Sequence, residues 1–329
     1  MTATLDLVSG MKENMTAWSR KSQRRCYNCL LTLAILATMI SVITILGLHQ
    51  SNYDGSTHLE EPIRVPEFAS PVGDEIDIFD VNTFMSATDM LVVKYLYQHR
   101  LYPPPWEDIT VDRIPPSHLP ATAIDPMFKL LNASGGGFFI ECGANDGKFY
   151  SRTLQLEKDF GWGGLLIEAS PSLFGKLRKS RRSAWMANVC LSGKIEKVEF
   201  KMNFNTSKDW MPGTGLINPG SKYKAPNYKP YGLDINGFTS EGIIDCFPLQ
   251  SLLAAINRKS VDLFALDVQG HEFQVLQGIP FDQMDIKFLI VEYSLTPEGK
   301  NSILDLMRKY GYKTVHDNGE DVYLKKIRK

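Results

Sequence analysis

The sequence has no surplus of charge in either direction. Its 329 residues carry 36 Lys+Arg against 37 Asp+Glu, a net of −1, so it offers no basic excess to build the stripe that a nucleic-acid binder needs. It has no internal repeat and no low-complexity tract. No glycine turn follows the G-x-G-x-x-G spacing of dinucleotide binders, and no Lys-Ser/Thr pair closes a P-loop. Both absences argue against a pyrophosphate ligand.

Charge is missing altogether from one segment. Residues 30–48 read LLTLAILATMISVITILGL. As a helix rising about 1.5 Å per residue, this run would reach about 28 Å, close to the ~30 Å hydrocarbon core of a bilayer. A buried core helix is usually shorter and broken by polar positions. A cleaved signal peptide would end in a small-x-small site and would not follow so long a hydrophilic leader. The expectation is an uncleaved transmembrane signal anchor. Arg20, Lys21, Arg24 and Arg25 precede it, whereas Asp54, Glu60 and Glu61 follow it. Positive flanks stay in the cytosol, so a type II orientation is expected, with everything after the span lumenal or extracellular. Cys26 and Cys29 would lie at the cytosolic edge, as palmitoylation sites or as plain thiols.

The remaining chain divides by composition. Residues 1–29 are expected as a cytosolic tail and 49–125 as a proline-marked stalk or linker, with a short helix near 88–100 that either packs on the following domain or belongs to the stalk. Pro103-Pro104-Pro105 stops that helix. From 126 to 329 short apolar runs alternate with amphipathic stretches. Strands are expected near 138–142, 164–168, 184–190, 194–204, 261–267, 286–293, 312–316 and 322–327. Helices are expected near 151–160, after Pro171, and at 249–256, 272–277 and 297–310. The Gly-, Pro-, Asn- and Tyr-rich stretch 205–245 reads as an inserted loop. Such alternation predicts an α/β fold, a doubly wound and mostly parallel sheet with helices on both faces.

Ligands of such sheets bind beyond the carboxyl ends of the strands, where strand order reverses. The first strand of this region runs into Glu141-Cys142-Gly143-Ala144-Asn145-Asp146-Gly147. Gly143 and Gly147 permit a tight turn and close backbone approach. An acidic residue two before the first glycine suits a ligand with a cationic ammonium, such as the methionine part of S-adenosylmethionine. Glu168 ends the next strand, placed to accept hydrogen bonds from two ribose hydroxyls. A third cluster reads Asp267-Val268-Gln269-Gly270-His271-Glu272. Asp267, His271 and Glu272 are candidate proton acceptors; alternatively the two carboxylates cap the following helix. No residue is assigned to a metal.

ECGANDG, GLLIEASP and FALDVQGHEFQVLQGIPFDQMDIKFLIVEYS, in that order, resemble the FkbM-type methyltransferase domain over roughly residues 135–327. With the N-terminal anchor, the arrangement resembles the animal Star-like proteins, regulators of EGF-receptor ligand trafficking. The resemblance implies a Rossmann-like class I methyltransferase fold whose last strand is antiparallel. It also implies a pocket for S-adenosylmethionine at Glu141, Gly143, Asn145, Gly147 and Glu168. Asp267 and Glu272 match the D-x-E-G-x-E signature, but Gln269 stands where the family usually has glutamate.

In a lumenal setting Cys190 and Cys246 are disulfide candidates and Cys142 a buried free thiol. Asn132 and Asn205 open glycosylation sequons. The resemblance implies a secretory-pathway protein of the endoplasmic reticulum, Golgi and endosome, with the plasma membrane a further possibility. Its role there would be vesicle-mediated transport of a membrane or secreted cargo such as an EGF-like ligand. The alternative is an active O-methyltransferase on a glycan, lipid or secreted substrate.

Overall fold

The structure, a computed structural model, describes residues 77–80, 85–105, 127–131, 135–204, 214–218 and 237–327. The expected anchor at 30–48, Cys26, Cys29, Asn132 and Asn205 all lie outside the described residues. Among the described residues no helix is long and apolar enough to cross a membrane.

An eight-stranded sheet organises the fold. Its strands are β1 (Leu101–Tyr102), β2 (Phe138–Cys142), β3 (Gly163–Ile167), β4 (Trp185–Ala187), β10 (Leu263–Leu266), β12 (Phe288–Glu292), β13 (Tyr312–Asp317) and β14 (Asp321–Lys326). They lie in the order β1-β4-β3-β2-β10-β12-β14-β13. The central pairs are parallel, and β14 inserts antiparallel between β12 and β13. The chain winds outward from β2 through β3 to β4, then returns to build β10 and β12 on the other side. Strand order therefore reverses between β2 and β10. This is the arrangement of a class I methyltransferase-like fold.

The central strands read as apolar runs because both of their faces are covered. Alternate residues enter two different cores. Phe138, Ile140, Leu165, Ile167, Phe264, Leu289 and Val291 face one; Phe139, Leu166, Leu263, Phe288 and Ile290 face the other. The second core is closed by α2 (Leu154–Phe160) and α3 (Pro171–Leu177), which supply Leu156, Phe174 and Leu177. Helix α3 starts where it does because Ser170 caps it, accepting from Leu173 N–H, with Pro171 in its first turn. The first core is closed by α4 (Leu249–Ala255), α5 (Glu272–Gln277) and α6 (Gly299–Lys309).

One segment left open by the sequence is decided here, and another differs from its reading. The short helix expected within the stalk or linker is α1 (Met90–His99), and it packs into the domain, with Val92 and Leu96 fully buried in the first core. Directly after it, β1 pairs antiparallel with β4, so the packed body reaches upstream of residue 126. The stretch 205–245 is not all loop. It contains β7 (Thr214–Asn218) and most of β8 (Thr239–Phe247). These join β5 (Cys190–Leu191) and β6 (Glu196–Asn203) in a second sheet, ordered β5-β8-β6-β7, while β9 (Ser260–Val261) and β11 (Asp285–Ile286) pair in parallel as a third. Only the last four residues of β8 are buried, so the strand owes its existence to pairing with β6 rather than to a hydrophobic pattern of its own.

Candidate active site

A cavity of about 470 Å3 opens at the carboxyl ends of β2, β3, β10 and β12, where strand order reverses. Its polar lining includes Glu141, Asn145, Arg152, Glu168, Asp267 and Glu292. Leu173, Val189, Leu191 and Phe200 form an apolar wall.

The loop after β2 is shaped by residues at positive φ: Gly143 at 85°, Asn145 at 53° and Gly147 at 78°. At Gly143 a glycine is obligatory for a backbone reason. A Cβ there would lie 1.9 Å from the carbonyl oxygen of Asp267. The sequence suggested that this glycine makes room for a ligand; it lines the cavity, and its missing Cβ also makes room for the neighbouring strand end. Gly147 does not line the cavity. A Cβ on it would meet Leu177 and Ser180 in the second core, and its carbonyl accepts from Arg182.

Glu168 is buried, and each of its carboxylate oxygens takes one backbone N–H, from Asn145 at 2.7 Å and Ser170 at 2.8 Å. Burial nevertheless pushes its carboxyl up to about 7, and the two N–H groups only partly offset this. Glu141 is engaged from behind. Its oxygens accept from Ser151 Oγ, Thr153 Oγ1 and Arg152 N–H. It therefore orders the loop that carries Arg152.

Arg182 completes that loop. Its side chain is fully buried, and it donates to Glu157, Gly147 O, Ser151 Oγ and Thr153 Oγ1. Nothing local marks it, the last of three arginines in RKSRRS, as an interior residue.

At the end of β10, Asp267 is half-buried, and its Oδ1 accepts from Gln269 Nε2 at 2.7 Å. Burial raises its carboxyl above the usual range, while the Arg152 guanidinium opposes the rise. A glutamate at 269 would set a second carboxylate against Asp267; the amide supplies a donor instead. His271 also lines the cavity, and burial lowers its imidazole, favouring the neutral ring. Glu272 is fully buried and does not reach the cavity wall. It accepts from Val268 N–H, Gly270 N–H and Thr296 Oγ1, so it ties down the turn that leads into α5. Of the three candidate proton acceptors, Asp267 and His271 face the cavity and Glu272 does not.

Arg152, Asp321 and Glu292 are among the lining residues not read from the sequence. Arg152 donates to Asp321 at 2.8 Å, and Glu292 closes β12 beside Asp267. A signal for Glu292 did exist, since it is a carboxylate ending an apolar strand, as Glu141 nearly does in β2. Along the apolar wall Cys190 and Cys246 are disulfide-bonded, with Cα atoms 4.4 Å apart at paired positions of β5 and β8. Cys142 is a buried free thiol whose ionisation burial suppresses.

Residues 141–314, just over half of the chain, match the methyltransferase FkbM domain family. The chain belongs to that family. Comparison with curated proteins found no match. Among solved structures the FkbM-family chain is similar to methyltransferase FkbM from Methylobacillus flagellatus. The two share 11% identity with a TM-score of 0.38, and the match covers 71% of this chain and 57% of that one. It is also similar to an RNA methyltransferase from Salinibacter ruber in complex with S-adenosyl-L-homocysteine. There the identity is 14% and the TM-score 0.30, over 64% of this chain and 94% of that one. Likenesses this distant identify no substrate for the FkbM-family chain.

Proposed function

We propose that this chain is an S-adenosylmethionine-dependent O-methyltransferase acting on a hydroxyl of a glycan, lipid or secreted acceptor. The observation that carries the reading is the union, in one cavity, of Glu168 and Asn145 with Asp267 and His271. The residues present fit the cofactor. Each oxygen of Glu168 holds one backbone N–H and keeps a lone pair for a ribose hydroxyl. Leu173 and Val189 offer an apolar face to a purine, and the carboxylate-rich lining suits a ligand bearing a sulfonium and an ammonium. When bound, S-adenosylmethionine supplies a methyl group activated by that sulfonium.

The chain's own part is to orient and to take a proton. Gln269 holds Asp267 through Oδ1. Asp267 or neutral His271 accepts the proton of the acceptor hydroxyl as its oxygen attacks. Holding the two partners in line supplies most of the rate. The test is Asp267→Asn, which nearly preserves shape. Calorimetric titration should show S-adenosylmethionine affinity kept while methyl transfer is lost. A variant that transfers methyl at the wild-type rate would remove Asp267 from the mechanism. Absence of any cofactor binding by the wild-type chain would overturn the reading.

The Cys190–Cys246 disulfide favours an oxidising compartment. That agrees with a lumenal domain behind an anchor at 30–48, as proposed from the flanking charges. A shift in mass on endoglycosidase treatment, lost when Asn132 and Asn205 are both changed to Gln, would support that placement. The role in cargo trafficking rests on the Star-like resemblance. It predicts that Asp267→Asn restores secretion of the cargo in cells lacking the protein.

A further inference from the structure

We propose that Asp267, Glu272 and Glu292 form a site for a hard divalent cation, of the Mg2+, Mn2+ or Ca2+ type, with Asp267 and Glu292 lining the cavity and Glu272 buried behind them. Asp267 follows β10 and Glu292 ends β12, and these strands are parallel neighbours with Leu266 opposite Val291. The next residue of each strand therefore brings two carboxylates side by side. Glu272 rises from the start of α5 beneath them. One oxygen from each of the three lies within 4.8 Å of the others. Oxygens bound to a common ion at about 2.1–2.5 Å cannot be farther apart than roughly twice that distance, so the three can share one ion. An all-carboxylate set selects a hard cation over the softer metals that prefer sulfur or imidazole.

A second observation points to a ligand there. Glu292 is 7% exposed and lines the cavity. Its Oε1 accepts from both the N–H and the hydroxyl of Ser294, whereas its Oε2 is buried with no hydrogen-bond partner. A bare carboxylate oxygen out of water is costly unless a cation or a donor reaches it. The guanidinium of Arg152, which also lines the cavity, is engaged by Asp321. Glu272, already held by Val268, Gly270 and Thr296, cannot swing away, so it adds a firm ligand direction. The positions such an ion leaves open face the cavity. There it would bind water and the acceptor hydroxyl and lower that hydroxyl's pKa, leaving His271 as the proton acceptor. That role, though not the site itself, rests on the methyl-transfer reading.

The experiment is titration of the full-length protein in detergent micelles with Mn2+, following loss of the free-ion signal by electron paramagnetic resonance. One ion per chain is expected, displaced by excess Mg2+ or Ca2+. Glu292→Gln and Asp267→Asn should each weaken binding by more than about tenfold, with circular dichroism confirming that the variants fold. Either variant suffices if the other fails to fold. If neither folds, protection of the wild-type chain by Mn2+ against thermal unfolding decides the matter, and no protection counts against the site. No binding at about 1 mM Mn2+, or binding that survives both substitutions, would overturn the proposal. Titration of the same samples with S-adenosylhomocysteine separates the two readings. Nucleoside binding without Mn2+ binding removes the cation site and leaves methyl transfer standing, and the reverse removes methyl transfer and leaves the site.

Discussion

The carbonyl oxygen of Asp267 occupies the space into which a side chain on Gly143 would grow, 1.9 Å from where its Cβ would be. The loop after β2 and the loop after β10 are thus locked together by the absence of one carbon. Gly143→Ala must push the two strand ends apart and hold alanine at a φ of 85°. We expect it to cost more than about 3 kcal/mol in thermal or urea unfolding. Gly161→Ala is the control. That glycine also has positive φ but faces open space, so about 1–2 kcal/mol is expected. Equal costs at the two positions would show that the close approach does not matter.

Glu168 gives the domain a pH dependence. Its carboxyl is raised to about 7 in the folded chain, against an ordinary value of 4.5. Between those values the folded state holds a proton that the unfolded state has released. Stability from this group is therefore full below pH 4.5 and falls as pH rises through 7. Compared with Glu168→Gln, the wild type should lose up to roughly 3 kcal/mol of relative stability between pH 5 and pH 8. Affinity for S-adenosylmethionine should move the opposite way, tightening with pH as the carboxylate forms. Parallel denaturation and binding curves at several pH values test both signs, and a flat difference would reject the assignment.

Arg182 is a buried cation whose loss leaves buried Glu157 without its counter-charge. Arg182→Met should destabilise the domain by about 3–5 kcal/mol. It should also free the loop around Ser151 and Thr153, which hydrogen exchange would report as faster amide exchange there.

The disulfide closes a sequence separation of 56 residues. In the chain-entropy account, replacing both cysteines by serine should lower stability by about 4 kcal/mol. Non-reducing peptide mapping should recover Cys190 and Cys246 as one linked species. Two alkylatable thiols in the native protein would end that expectation.

Helix α1 contributes Val92 and Leu96 to the main core. A chain beginning at residue 126 uncovers that core and loses the edge strand β1. It should melt below the full-length protein, and Leu96→Ala within the intact chain should cost about 2–5 kcal/mol. A truncated chain of unchanged stability would show that α1 is an accessory.

Much of this protein was decided locally. Apolar runs in which alternate residues face alternate cores make FFIEC and FLIVE central strands by themselves, because burial on two faces needs no distant partner to be legible. The turn glycines Gly143 and Gly147, and the acids near or at the strand ends, Glu141, Glu168 and Asp267, are likewise each legible from the few residues around their own strand end. Only the tertiary structure decided what each of these holds. Glu141 lines the cavity but is held from behind by Ser151 and Thr153, Gly147 packs against the second core and Glu272 ties down its own turn, because each finds hydrogen-bond or packing partners that sequence distance hides. The second sheet, the role of α1 and the approach of Glu292 to Asp267 arise the same way. They are made by pairings between segments far apart in the chain, and such pairings leave little periodic mark on either segment.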